Sequence, residues 1–218
     1  MKILYKFPSR SRPHKFFAAL NNIHSLAKHD DFEVLATLDR DDATMTDASV
    51  VDRMRSIPKL RWYFGVSNSK IEAINRDMQF AGEFDILLVH SDDMEFTMPG
   101  FDLEILKAFE DFRGLVHFPD QVAGNRLITY PMMHQDYFLR DCWIYHPDFK
   151  SVYADNFQQD LAKRRGMYKF VNLPILMHKH SMWGYGVHDA LMLRNENGEN
   201  YHKDKLTWQR LLNDPRYA

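Results

Sequence analysis

The hydrophobic period of this chain switches repeatedly between two and 3.6, and that switching restricts it to a small set of architectures. Lys2 to Phe7 reads as a strand; Pro13 then stands where a first helical turn tolerates it, and Phe16, Phe17, Leu20, Ile23 and Leu26 line one helical face. Phe32 to Leu38 is a second strand. It runs into the acidic loop Asp39-Arg40-Asp41-Asp42 and a short helix through Val50, Val51 and Met54. Leu60 to Phe64 is a third strand, Lys70 to Phe80 a helix with Ile71, Ile74 and Met78 on one face, and Phe84 to Val89 a fourth strand. Strands alternating with helices of this length imply a mostly parallel central sheet with right-handed crossovers, an α/β fold.

Beyond Gly100 the pattern loosens. A helix from Leu103 to Phe109 and a strand from Leu115 to Phe118 precede a mixed stretch, Val122 to Phe138, that fits neither period. Asn156 to Arg165 reads as a helix with Asp155 as its N-cap and Gly166 as its stop. Strand-like Tyr168 to Val171 and Ile175 to Met177 follow, and an amphipathic helix runs from Tyr201 to Leu212. No repeat or linker marks a boundary, so 218 residues are expected to form a single domain, residues 1–218.

Composition narrows the function. With 28 Lys and Arg against 30 Asp and Glu, the net charge is −2, and no broad positive field gathers a nucleic acid. The longest aliphatic run, Ile86 to Val89, is far below the ~20 residues of a membrane span. The lysine-broken start, Met1 to Pro8, reads as a strand and not as a signal peptide. A lone cysteine, Cys142, excludes an internal disulfide framework and reads as a packing residue. A soluble, cytoplasmic protein is expected, at most peripheral to a membrane.

In open α/β sheets ligands bind beyond the carboxyl ends of the strands. The segments there are Pro8-Ser9-Arg10-Ser11-Arg12, Asp39 to Asp42, Gly65 to Lys70 and His90-Ser91-Asp92-Asp93-Met94, all polar or charged. Acids and bases brought to one edge suit a diphosphate with a divalent metal. Neither G-x-G-x-x-G nor G-x-x-x-x-G-K-[ST] occurs, which argues against a dinucleotide-binding domain and a P-loop.

These segments carry a resemblance. Pro8 to Pro13 before the Lys15-Phe16 helix, Phe32-Glu33-Val34 running into an aspartate loop, Ser67-Asn68-Ser69-Lys70 before Ala73-Ile74-Asn75, and Ser91-Asp92-Asp93 after a hydrophobic strand resemble, in order and spacing, the nucleotide-sugar half of a GT-A fold glycosyltransferase of the family 2 type. This half covers about residues 1–100. Tyr153-Ala154-Asp155-Asn156 and His178-Lys179-His180-Ser181-Met182-Trp183-Gly184, in the acceptor-side half of about 101–218, resemble that family's acceptor-side acidic motif and late histidine motif.

The resemblance implies a metal-dependent, inverting transfer of a sugar from a nucleotide-sugar donor, a UDP-sugar favoured, to a glycan, lipid-linked or other hydroxyl acceptor. It implies that Asp39 meets the base, that Ser9 and Arg10 lie beside the nucleotide, that Asn68 and Lys70 lie near the ribose or diphosphate, and that Asp92 faces the donor. Asp93 would ligate Mn²⁺ or Mg²⁺, and Asp155 would act as general base. Ser91 stands where the strict D-x-D motif has its first aspartate. Because residues alternate on a strand, one of His178 and His180 faces the metal, and its place directly before the turn favours His180. Trp183 is a candidate stacking surface for a sugar. Two rival readings are a sugar-nucleotide nucleotidyltransferase, whose glycine-rich N-terminal loop is replaced here by Pro8 to Pro13, and a non-catalytic nucleotide- or sugar-binding or histidine-rich zinc protein.

Overall fold

Four strands of the alternating half lie side by side and point the same way. They are β1 (Ile3–Ser9), β2 (Phe32–Asp39), β3 (Leu60–Gly65) and β4 (Ile86–Val89), in the order β3-β2-β1-β4, with Ile3 opposite both Phe32 and Ile86. All four therefore end at one edge. The computed structural model describes residues 1–181, 184–185 and 189–217. Near-continuous burial along β1, β2 and β4 follows from a sheet covered on both faces.

The first face packs Tyr5, Phe7, Val34 and Leu88 against α1 (Pro13–Leu26) and α4 (Phe101–Phe109), through Phe16, Leu20, Phe101 and Ile105. The second face packs Leu4, Leu35 and Leu87 against Ile71 and Ile74 of α3 (Lys70–Asn75) and Phe157 and Leu161 of α6 (Ala154–Arg164). Each such side chain contributes roughly 1.5–3 kcal/mol by leaving water. On the first face too, α2 (Ala48–Arg55) adds Met54 to the core and is capped by the Asp47 carboxylate, which accepts from Ser49 N at 2.9 Å.

The structure departs from the sequence expectations in four places. The helix expected from Lys70 to Phe80 stops at Asn75. Asp77 adopts a left-handed backbone (φ 70°), and a 3-10 turn, Met78–Phe80, follows. The mixed stretch supplies a strand: β7 (Met132–His134), followed by α5 (Gln135–Leu139), inserts antiparallel between β4 and β6 (Leu115–His117), with β8 (Tyr168–Phe170) parallel beyond β6. Asp155 is not the cap of α6. That place belongs to Tyr153, with φ 59° and ψ −4°, and Asp155 lies in the first turn. Cys142 is exposed, with φ 57°, and does not pack in the core.

A small second sheet pairs β5 (Met94–Phe96) antiparallel with β9 (Leu176–His178), and the chain ends in α7 (Ala190–Asn195) and α8 (Gly198–Leu212). Among the described residues no helix is long and apolar enough to cross a membrane.

Candidate functional site

A cleft of about 390 Å³ opens at the carboxyl ends of β1, β2 and β4. Ser9, Arg10, Asp39, Lys70, Asp92, Asp93, Asp155, His178 and His180 all line it. Asn68 does not; it is exposed, and its backbone N–H donates to Glu72 at 2.9 Å in a capping-box arrangement in which Ser69 accepts from Glu72 N. Trp183 lies outside the described residues.

Asp39, 6% exposed, sits between two guanidinium groups. Arg10 Nη1 donates to Oδ2 at 3.0 Å and Arg76 Nη1 to Oδ1 at 3.1 Å. Arg10 is itself forked onto Asp41, at 2.5 and 2.9 Å. Arg76 also donates to Ser67 Oγ and to the Leu38 carbonyl, both at 2.6 Å. It reaches them across Gly65, where a Cβ would stand 2.7 Å from its Cζ, so the absent side chain there makes room for the guanidinium. Behind Arg76 the polar chain continues inward: Asp77 accepts from Arg76 Nε at 3.3 Å and from Thr37 Oγ1 at 2.8 Å, and Lys6 donates to Thr37. Lys6 is fully buried, and burial pulls its ammonium down to about 7 against the opposing pull of Asp77.

At the end of β4 the two acids diverge. Burial raises Asp92 to about 6, although Arg12 Nη1 at 3.0 Å and Ser9 Oγ at 3.2 Å both donate to it. Burial acts on Asp93 in the same sense, but the His178 imidazole beside it and the Ser91 hydroxyl more than offset that and hold its carboxyl well below the usual range. His178 Nε2 is 3.3 Å from Asp93 Oδ1, while His178 Nδ1 is buried without a hydrogen-bond partner. His180, favoured by position, turns instead to Glu196, with Nε2 2.9 Å from Oε1. Lys70 Nζ stands 3.9 Å from the same oxygen.

Across the cleft, Asp155 is partly buried and its carboxyl is raised by that burial; its Oδ1 accepts from Asn156 N at 2.9 Å. The loop leading to it is held from α8. Asp204, 1% exposed, accepts the backbone N–H groups of Lys150, Ser151 and Val152 at 2.9, 2.8 and 2.9 Å. Satisfying three otherwise orphaned donors with one buried carboxylate fixes the backbone immediately before Tyr153 and Asp155.

Arg76, Asp189, Glu196 and Asp204 do not stand out in the sequence. Asp189 caps α7 and receives a fork from Arg12, at 2.7 Å twice, from the opposite end of the chain. No local pattern announces a pair so distant. Among the described residues, no group of three or more His, Cys, Asp or Glu side chains is placed to hold a metal ion.

No family model matches the chain, and no curated protein does. Solved structures do match. The mannosyltransferase PcManGT from Pyrobaculum calidifontis, in complex with GDP-Man and Mn²⁺, is similar at 15% identity and a TM-score of 0.64, over 79% of this chain and 55% of its own. S. aureus TarS is similar at 14% identity and a TM-score of 0.65, over 97% of this chain and 43% of its own. Its 1-349 fragment in complex with UDP gives 15% and 0.64, over 98% of this chain and 71% of the fragment. Glucosyl-3-phosphoglycerate synthase from Mycobacterium tuberculosis, in complex with Mg²⁺ and UDP, gives 15% and 0.57, over 82% of this chain and 72% of its own. The chain thus spans about half the length of the first two. At such identities the likeness is one of fold, and the α/β fold of this chain is the GT-A fold seen in these glycosyltransferases.

Proposed function

We propose that the chain is a metal-dependent, inverting glycosyltransferase that takes a sugar from a nucleotide-sugar donor. The observation that carries this reading is the composition of one cleft, which gathers the Asp93–His178 pair, the nucleotide-side groups Arg10 and Asp39, and the raised carboxyl of Asp155. In the transfer, the acceptor oxygen forms a bond to the anomeric carbon as the bond from that carbon to the diphosphate oxygen breaks. Asp155 takes the proton of the acceptor hydroxyl, and the nucleoside diphosphate leaves with the bonding pair. A carboxyl raised toward neutrality is the better base near pH 7.

Asp93 and His178 would hold a divalent ion, Mn²⁺ or Mg²⁺, which when bound offsets charge on the departing diphosphate. Their chemistry fits. One carboxylate and one imidazole converge, the imidazole has an unsatisfied second nitrogen, and the mixed oxygen–nitrogen set favours Mn²⁺. UDP is the proposed nucleotide: UDP or UDP-GlcNAc occupies complexes of TarS, and UDP that of the mycobacterial synthase. Asp39 would accept a base N–H, its carboxylate oriented by Arg10 and Arg76. Asp92 and Lys70 would lie beside the sugar and diphosphate.

The test is a thermal-shift panel of UDP-, GDP-, dTDP- and CMP-sugars with and without Mn²⁺. A donor at about 100 times its Kd stabilises the folded state by roughly 2.7 kcal/mol. A metal-dependent shift with the UDP-sugar is expected, and no shift with any donor would overturn the reading.

A further inference from the structure

The cleft is electrically divided. Its described Lys and Arg side chains, Arg10, Arg12, Lys15, Lys70, Lys179 and Arg194, come from the segment after β1, from α1, from α3, from the end of β9 and from α7. The wall built by residues 127–156 and α8 contributes one charged side chain, the Asp155 carboxylate, and is otherwise neutral: Thr129, Tyr145, Ser151, Tyr153, Asn156 and Tyr201. Lys70, whose charge acts on Asp155, is faced by Glu196 and by Asp93. A phosphate or carboxylate brought against this wall would meet the Asp155 charge with no cation of the wall to offset it.

Three features show the wall to be prepared. Tyr153 is a bulky residue held at φ 59°, a conformation that costs energy and survives where the surroundings enforce it. Its ring is pinned, stacked on Trp208 with centroids 5.4 Å apart and planes 14° apart, and met edge-on by Tyr201 at 6.2 Å and 87°. Ser151 Oγ, in a residue 6% exposed, has no hydrogen-bond partner. Rigid rings beside neutral hydroxyl and amide groups match one chemistry well. A pyranose offers an apolar C–H face to an aromatic surface and a rim of hydroxyls to uncharged donors and acceptors.

Building on the transferase reading, we propose that this wall is the acceptor subsite and that it takes a neutral sugar ring, so that the attacking hydroxyl belongs to a saccharide and not to a phosphorylated small molecule. Tyr153 and Tyr201 supply the surface, and Asp204, through the backbone of 150–152, holds Tyr153 in place. Asp155 is then the one charged side chain that the wall itself sets beside the acceptor hydroxyl whose proton it removes.

Saturation-transfer NMR on the full chain tests this, with and without UDP and Mn²⁺. The probes are the methyl α- and β-pyranosides of glucose, galactose and N-acetylglucosamine, set against glucose 6-phosphate and glycerol 3-phosphate. At least one neutral glycoside is expected to bind, the anionic probes are not, and Tyr201→Ala is expected to weaken the glycoside at least tenfold while leaving the Kd for UDP unchanged. Tyr201 is on a helix, where alanine is the better former, so the substitution keeps the local helix. Tyr153→Gly, which relieves the positive φ, should give the same loss. Binding of an anionic probe with none of the glycosides, binding of none of the probes, or glycoside binding that survives both substitutions, would overturn the proposal. Absence of UDP binding would strike the transferase reading separately, because glycoside binding is also read without nucleotide.

Discussion

His178 Nε2 lies 3.3 Å from Asp93 Oδ1, and a strand pair of three residues brings them together: Met94, next to Asp93, is in register with His178 across β5 and β9. Lys179 N also donates to the Asp93 carbonyl at 2.7 Å, which locks the backbone at that point. A slip of one residue would turn His178 away and present a neighbour in its place.

His178→Ala and Asp93→Ala are therefore each expected to abolish the metal dependence of nucleotide binding, with Kd for UDP in Mn²⁺ weakened tenfold or more. His180→Ala should leave that dependence largely intact. Isothermal titration of UDP with and without Mn²⁺ reads both, and a loss confined to His180→Ala would reverse the assignment.

Asp155→Asn keeps the size of the side chain and removes the base. Transfer should fall by about 10²–10⁴-fold, while the UDP thermal shift stays within error of the unsubstituted protein. Product formation by mass spectrometry together with that shift checks this, and undiminished transfer would exclude Asp155 as the base.

Asp204→Ala leaves three backbone N–H groups without their acceptor. A cost of about 3 kcal/mol is expected, or roughly 6–12 °C in Tm for a domain of this size. Calorimetry measures it, and a change below about 2 °C would show that the loop is held by other contacts.

Lys6 gives a pH dependence with a definite sign. Its folded pKa, about 7 because of burial, lies below the ~10.4 of an unfolded lysine. Between these values the unfolded chain holds a proton that the folded chain has released, so stability from this group rises with pH from about 7 upward and is flat below. Urea midpoints at pH 7 and pH 9 should thus converge for Lys6→Met relative to the unsubstituted protein. Parallel shifts in the two proteins would remove Lys6 as the source.

What the sequence determined by itself was the part governed by local periodicity. The elements β1, α1, β2, β3 and β4 are legible because α1 repeats its apolar face with a period of 3.6 and the strands are short apolar, β-branched and aromatic runs between turn residues, and parallel strands joined by helices must end at one edge. That alone brought Ser9, Arg10, Asp39, Asp92 and Asp93 to a single cleft. Asn68 belongs to the same loop set but is exposed, because Ser69 and Glu72 turn that loop into a helix cap. Tertiary structure decided what depends on pairing across the chain. β5 and β7 are three residues each, too short to show a period, and β9, legible as strand-like at 175–177, does not reveal its partner, so neither the antiparallel insertion of β7 nor the choice of His178 over His180 beside Asp93 is written locally. The partners Arg76–Asp39, Arg12–Asp189 and Asp204 with the 150–152 backbone are likewise contacts between distant segments, and a buried charge declares itself only once the fold has brought its partner near.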